Sequence, residues 1–339
     1  MNTFFLDRLN SEPHALAFAG QSTPRPVALA DQSANPTLDE ALHTHAAAAQ
    51  ALLYPVSAEL LATTGRPVDL FGFEPNPARL GAAATASASV PGIALTQLGA
   101  LIDAASLGYN PAKAKPIAVL GHSQGVLAVH MVQAIREAGS IEAASASIDE
   151  ILAIATLIGV AGTRQARQLG LAARHGDVTP MLSVKDITRA QVDALIERVD
   201  GARGPIAVAV TNSATHYVLS GYPEDLAAFG VEVAKEHKHQ AKLREEKVRG
   251  GRVFDPVLEY LDVTLPFHSP LMADAVSQTV SWAEACDIDA SHARELAAEV
   301  LLNHVDWAAR VRALMNSTDP STLWVLDFGP GATVGKLFS

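Results

Sequence analysis

Residues 116–137 read PIAVLGHSQGVLAVHMVQAIRE. The first five are an uninterrupted apolar run of strand length, and the last twelve, from Val126 on, are apolar at helical spacing. Between them lies Gly121-His122-Ser123-Gln124-Gly125, so a GxSxG string falls at a strand-to-helix turn. Its two glycines leave room for a sharp turn that a Cβ would obstruct. Such a turn pushes Ser123 Oγ out at a helix N-terminus, where amide donors can meet a developing oxyanion. That context separates a nucleophilic serine from a tight turn that happens to carry Ser.

Two further strands end in the same way. Residues 14–18 (HALAF) run into Ala19-Gly20-Gln21-Ser22, and residues 323–328 (LWVLDF) run into Gly329-Pro330-Gly331. Open α/β sheets place their sites at strand carboxyl ends, so the three loops are expected to converge above one short parallel sheet flanked by helices. Residues 40–63 and 92–106 read as helices, the second opened by Val90-Pro91-Gly92, and the Ala/Ser-rich stretch 81–89 reads as a loop or helix start. The pattern changes near Thr179. Residues 181–184 read as a strand, and Thr188 with Gln191 as a capping box ahead of Val192, Leu195, Ile196 and Val199. Strand-like runs at 206–210 and 217–220 then precede a helix that starts at Pro223 and carries Leu226, Phe229 and Val233. Strand, helix, strand, strand, helix is the order of a split βαβ layer. The expected organisation is an α/β, hydrolase-like core of residues 1–177 and 265–339, with an inserted ferredoxin-like α+β subdomain over 178–264. A basic connecting segment closes that insert at about 235–256.

A chain of 339 residues is long enough for a large core with an inserted or second domain. Its formal charge of −11 argues against nucleic acid as a partner. No stretch of about 18 residues is free of polar interruption, and the opening MNTFFLDRLNSEPH lacks a basic segment followed by a long apolar one, so no membrane span is expected. Cys286 is the single cysteine, which excludes an internal disulfide and any multi-cysteine metal site and fits a reducing, cytoplasmic setting. Its acidic neighbours in WAEACDID argue for packing rather than reactivity. His43 and His45, two apart on a helix, diverge instead of sharing a metal, and His237 and His239 read as solvated. GATVGK at 331–336 is one residue short of a phosphate loop and lacks the following hydroxyl, so neither a metal nor a nucleotide site is expected. Residues 235–252 carry seven basic and three acidic residues, a pattern equally consistent with an anion-binding surface and a solvated helix.

A serine at its ordinary pKa needs a base within hydrogen-bond reach. His268 is the candidate. It follows a short strand read at 263–265 and sits between Phe267 and Pro270, a rigid, partly apolar setting that keeps an imidazole neutral near pH 7. The residues alone leave it one of twelve histidines.

FAGQS from Phe18, GHSQG from Gly121, TNSATHYVLSG from Thr211, LPFHSPLM from Leu265, LLNHVDW from Leu301 and DFGPG from Asp327 occur in this order. With these separations the set resembles the acyl-CoA:acyl-carrier-protein acyltransferases: stand-alone malonyl transacylases and the acyltransferase domains of polyketide and type I fatty-acid synthases. The resemblance covers nearly the whole chain. Gln124 together with FGFEP, SVPGIALTQ and KVRGGRVFDP looks most like the acetyltransferase domain at the amino end of actinobacterial type I fatty-acid synthases. The resemblance implies that Ser123 is acylated and that His268 is its base. It also implies that backbone amides of Gln21 and Gln124 form the oxyanion hole, that the Asn303 carbonyl orients the histidine, and that His122 and Asn212 line the acyl cleft. Ser22 stands where many members have Gly.

Members that use malonyl groups carry an arginine on the helix after the elbow helix, and Ala155-Thr156-Leu157-Ile158-Gly159-Val160 puts Ile158 in that place. A malonyl carboxylate there would lack a counter-charge, a penalty of several kcal/mol, whereas an acetyl methyl would meet an apolar wall that Phe267 further shortens. Arg164 and Arg167 lie roughly 240° and 180° around the same helix from Ile158 and are not expected to substitute. The implied reaction is ping-pong transfer from acetyl-CoA to the phosphopantetheine thiol of an acyl carrier protein, without a catalytic cofactor, alongside other domains of a fatty-acid synthase. Lys247, Arg249 and Arg252 are candidate contacts to coenzyme A or carrier phosphates. The alternatives are a serine thioesterase or hydrolase, for which Asp262 and Asp306 are nearby acids, a malonyl-specific transacylase should another residue hold the Ile158 place, and a non-catalytic docking module. The ending at Leu337-Phe338-Ser339, barely into an apparent helix, is that expected of a piece of a larger synthase.

Overall fold

The structure, a computed structural model, describes residues 9–20, 32, 35–65, 67–68, 70, 86–171, 178–245, 254–319 and 321–330. Gln21, Ser22, the basic residues Lys247, Arg249 and Arg252 and the 331–336 loop lie outside them.

Three parallel strands make the central sheet, with His14–Phe18 (β1) between Ala118–Gly121 (β2) and Trp324–Asp327 (β8). Strand β1, His14–Phe18, is buried along its whole length, as suits the middle of a parallel sheet covered on both faces. It pairs with β2, Ala118–Gly121, from Ala15↔Ala118 to Phe18↔Gly121, and with β8, Trp324–Asp327, from His14↔Trp324 to Ala17↔Asp327. The three strand-end loops do converge. His122 N–H donates to Phe18 O, Phe328 N–H to Ala17 O and Ala19 N–H to Gly329 O, each at 2.9 Å.

Helix α1, Pro36–Leu52, opens with Pro in its first turn and with the Asn35 side chain accepting from Leu38 N–H. The single helix expected over 40–63 is broken. Pro55 lacks the N–H that would reach the Ala51 carbonyl, so a short 3₁₀ turn at Tyr54–Val56 intervenes before α2, Ser57–Thr64. Helix α3, Ala86–Ser106, corrects a second boundary, since Pro91 lies inside it rather than opening it. A proline inside a helix costs about 3 kcal/mol or more. Against that, Val90, Ile93, Leu95, Leu98 and Leu101 are fully buried, worth about 1.5–3 kcal/mol each. Burial decides the outcome.

Helix α4, Val126–Ala138, follows the elbow, and α5, Ser145–Gln168, crosses α3. The contact with α3 is close: a Cβ on Gly159 would sit 2.4 Å from the Ala86 carbonyl oxygen. By length and composition α3 and α5 are apolar enough to cross a membrane, but 72% and 78% of their most apolar windows are buried inside the fold. Their apolarity is that of a core.

Residues 181–260 build a second layer: β3 Met181–Lys185, α6 Arg189–Ile196, β4 Ala207–Ser213, β5 His216–Ser220, α7 Pro223–Glu245 and β6 Val257–Tyr260. The order β6-β3-β5-β4 is antiparallel throughout, a ferredoxin-like arrangement. A separate apolar cluster, including Leu182, Val184, Val192, Leu219, Leu226 and Phe229, holds the helices on it. The Thr188 capping box is present on both sides. The strand read at 263–265 is not one: the layer's last strand, β6, ends at Tyr260, and Val263 and Leu265 are buried in the large core as irregular chain. Helix α7 runs on through the first part of the basic stretch, where no residue beyond Val233 is buried, and Lys235, Glu236 and His237 pair with Glu232, Arg198 and Asp255.

The remaining chain forms α8, Ala273–Ala285, α9, Ala290–Leu301, the two-residue β7, Val305–Asp306, and α10, Trp307–Ser317. Strand β7 joins β4 in parallel and so continues the second sheet into the large unit.

Candidate active site

The elbow is glycine-bound for steric reasons. A Cβ on Gly121 would lie 2.5 Å from Val126 N, and one on Gly125 2.2 Å from Phe18 O, both backbone atoms that cannot yield cheaply. Ser123 sits in the left-handed region at φ 53, a strained conformation costing about 1–3 kcal/mol, and opens a single 3₁₀ turn into α4. Its hydroxyl is half-buried at the sheet's carboxyl edge.

His268 arrives from the irregular segment ahead of α8, itself at φ 56 and almost wholly buried. Its Nε2 is 2.8 Å from Ser123 Oγ, and its Nδ1 is 2.8 Å from the Asn303 carbonyl oxygen. A carbonyl only accepts, so Nδ1 carries the proton and Nε2 is left with a lone pair for the Ser123 hydroxyl. That is the tautomer a base needs. Burial, assisted by His122, His304 and Arg310, pushes the His268 pKa down to about 3 against the opposing Asn303 hydrogen bond. The imidazole is therefore neutral at physiological pH. Among the described residues no carboxylate hydrogen-bonds it, and Asp306 is otherwise engaged, capping α10 through Ala309 N–H at 2.9 Å.

His122 donates from Nε2 to Asn212 Oδ1 at 2.9 Å, and Asn212 Nδ2 lies 3.4 Å from His216 Nε2, which also meets Ser183 Oγ at 3.1 Å. This chain of polar groups joins the elbow to the second sheet. Burial lowers the pKa of His122 and of His216, keeping both neutral. The Trp307 ring meets His122 edge-on at 5.3 Å between centroids.

Gly20 brings the β1 loop against the elbow, since its ideal Cβ position is 2.9 Å from Ser123 Cβ and 3.4 Å from Gln124 N. The loop thus approaches the Gln124 amide, while Gln21 itself lies outside the described residues. Gln97 on α3 ties the neighbouring loops together, donating from Nε2 to Ala19 O at 2.7 Å and Gly329 O at 2.9 Å.

Ile158 and Phe267 are both buried in the large core. Arg164 and Arg167 face elsewhere, as their helical angles require: Arg164 donates to Gln278 Oε1 at 2.9 Å and lies over Trp282, and Arg167 donates to the Thr63 carbonyl. Arg310, Gln97, His216 and Trp307 were not singled out from the sequence. Arg310, Gln97 and Trp307 meet the site through partners remote in the chain, and His216 through Asn212, four residues before it. Among the described residues no group of three or more His, Cys, Asp or Glu is arranged to hold a metal. His45 is instead paired with Asp149 at 2.6 Å, and burial raises the Cys286 thiol.

A family model described as the fatty acid synthase central AT domain matches residues 180–260. The fatty acid synthase subunit beta of Saccharomyces cerevisiae is 26% identical over 280 residues, covering 73% of this chain and 13% of that protein. The Schizosaccharomyces pombe subunit is 27% identical over 210 residues, covering 56% and 10%. The chain thus spans only about an eighth of the length of these relatives. Among solved structures, the malonyl CoA-acyl carrier protein transacylase of Coxiella burnetii aligns with a TM-score of 0.61 at 15% identity, over 96% of this chain and 90% of that one. The acyltransferase domain from the second module of the salinomycin polyketide synthase aligns at 0.58 and 17%, over 97% and 66%. Over residues 180–260 the chain is similar to the central AT domain of fatty acid synthases. The α/β architecture expected from the strand-end loops is the acyltransferase-domain fold of these neighbours, a small parallel sheet flanked by helices.

Proposed function

We propose that this chain loads an acetyl group from acetyl-CoA onto Ser123 and passes it to the phosphopantetheine thiol of an acyl carrier protein, priming fatty-acid synthesis. In this reading residues 178–264 are an inserted unit on a core of residues 1–177 and 265–339, working in the cytoplasm with other domains of a type I synthase like that of actinobacteria. The observation that carries it is the Ser123–His268–Asn303 chain, with 2.8 Å at both links and a base that stays neutral.

His268 Nε2 takes the hydroxyl proton as Ser123 Oγ attacks the thioester carbonyl, and the oxyanion meets the Gln124 and Gln21 amides. Collapse expels the coenzyme A thiolate, which takes the proton from His268. The carrier thiol then gives its proton to His268 and attacks the acyl-serine, and Ser123 recovers its own. Lys247, Arg249 and Arg252 serve as phosphate contacts.

Acetyl is preferred because Ile158 stands where malonyl-using members have arginine, and Arg164 and Arg167 are committed elsewhere. A hydrolase is disfavoured by the capping role of Asp306. Incubation with radiolabelled acetyl-CoA tests the reading. Stable label on Ser123 that leaves only to a pantetheine thiol supports it, rapid loss to water replaces it with a hydrolase, label from malonyl-CoA alone makes the chain a malonyl transacylase, and no label leaves a docking module.

A further inference from the structure

Residues 303–310 bear on both members of the Ser–His pair. Asn303 fixes His268 through its carbonyl, Val305 and Asp306 pair with β4, Trp307 packs on His122, and Arg310 donates from Nη1 to Gly121 O at 2.7 Å. The last contact is unusual in its placement. The peptide between Gly121 and His122 turns its N–H toward Phe18 on β1, so its carbonyl points to the free edge of β2, the outer strand of the sheet. An edge carbonyl normally meets water. Here a guanidinium holds it, two residues ahead of the strained Ser123. Arg310 reaches it because it lies one helical turn beyond Trp307, on the same side of α10.

We propose that Arg310 is a positioning residue for acylation: it clamps the elbow peptide from the open edge of β2 and sets a fixed positive charge beside the Ser123–His268 pair, where the thioester oxygen becomes negative. Its remaining N–H groups have no partner among the described residues, and the side chain is exposed overall, so it fills no core position. The groups whose charge acts on His268 are His122, His304 and Arg310, and Asp306 and Arg189 act in turn on His304 in opposite directions, with burial outweighing both. Both histidines are held neutral, which leaves Arg310 as the standing cation of the set. A guanidinium suits the two tasks together, since it keeps its charge while hydrogen-bonding in a fixed plane.

The inference rests on Ser123 being the nucleophile, and its test is chosen to stand apart from the choice of acyl donor. The rate of Ser123 labelling by a fluorophosphonate is measured for wild type, Arg310→Met and Arg310→Lys in short pulses from about pH 2.5 to pH 9, a range that brackets the His268 limb, beside labelling by acetyl- and malonyl-CoA. Arg310→Met is expected to label about 10- to 100-fold more slowly at neutral pH, with its acid limb at higher pH because a repelling cation has gone. Arg310→Lys is expected to restore the limb while recovering only part of the rate. Arg310→Met within about twofold of wild type and with an unmoved limb overturns the proposal. So does a loss confined to malonyl-CoA, which would make Arg310 a carboxylate-binding residue. Wild type that reacts with the fluorophosphonate but with no acyl-CoA sinks the acyltransfer reading alone, because the Arg310 comparison still reads out.

Discussion

Acidification should destabilise the large unit through His268 in a way that a single substitution removes. The imidazole is buried against Ser123 and the Asn303 carbonyl, and its pKa falls from the ordinary 6.5 to about 3, chiefly by desolvation. The sign follows from which state binds the proton first. Below about pH 6.5 the unfolded chain protonates this histidine while the folded one does not, so stability is complete above that value and is lost as pH falls toward 3. The slope is about 1.4 kcal/mol per pH unit, and pH 5 lies roughly 1.5 units below the unfolded value, giving about 2 kcal/mol from this group alone. His122, also depressed by burial, adds in the same direction. Urea unfolding of wild type and His268→Gln at about pH 8, 7, 6 and 5, followed by tryptophan fluorescence, isolates the effect. Trp282 and Trp307 both belong to the large apolar cluster and report on the unit that holds His268. Wild type should lose about 2 kcal/mol more than the variant over that range. Parallel curves would refute the reasoning, because they would mean that His268 is as easily protonated in the fold as in the unfolded chain.

Three other outcomes follow from the same geometry. Gly125→Ala forces a Cβ to within 2.2 Å of the Phe18 carbonyl oxygen and should cost about 3 kcal/mol or more and abolish Ser123 labelling, whereas Gly139→Ala, at φ 89 with open space, should cost only about 1 kcal/mol; thermal melts compare them. Asn212→Leu strands the His122 Nε2 donor and should lower stability by about 1–3 kcal/mol, with a slower acyl transfer that single-turnover labelling reads. Ile158→Arg should shift labelling from acetyl- toward malonyl-CoA by about tenfold or more, and competition between the two donors measures the ratio. A folded variant with an unchanged ratio would show that this position does not meet the acyl group.

What was legible in the chain was what local chemistry encodes. The elbow is contiguous, with strand, paired glycines and helix read in one stretch, and the Thr188–Gln191 capping box spans four residues. The convergence of the three strand-end loops followed from each strand's own ending. The failures have different causes. Apolar periodicity carried the first helix straight through Pro55, because the core needs Leu53, Val56 and Leu60 on either side of the break. Pro91 looked like a helix start because proline favours that place, but a helix buried on nearly all sides has no polar face to mark where it begins. Strand β7 is two residues long and exists only because β4 is there to receive it. Arg310 and Gln97 find their partners 189 and up to 232 residues away, and nothing beside them in the sequence marks a role.

The choice of a carbonyl rather than a carboxylate behind His268 bears on the chemistry. Asn303 O fixes the tautomer as an aspartate would, but it carries no charge to hold an imidazolium, and every charged or titratable neighbour acting on His268, namely His122, His304 and Arg310, opposes one. A proton taken from Ser123 therefore cannot rest on His268 for long. In the proposed reaction it need not, since the departing thiolate receives it and the incoming pantetheine thiol supplies the next. A water molecule entering the second half-reaction must instead be deprotonated by the same weak base from a far higher pKa than a thiol's. In the proposed reaction a neutral orienter thus biases the acyl-serine toward thiols. On the proposed reading, discrimination between transfer and hydrolysis rests on the field around His268, in which Arg310 is the fixed element.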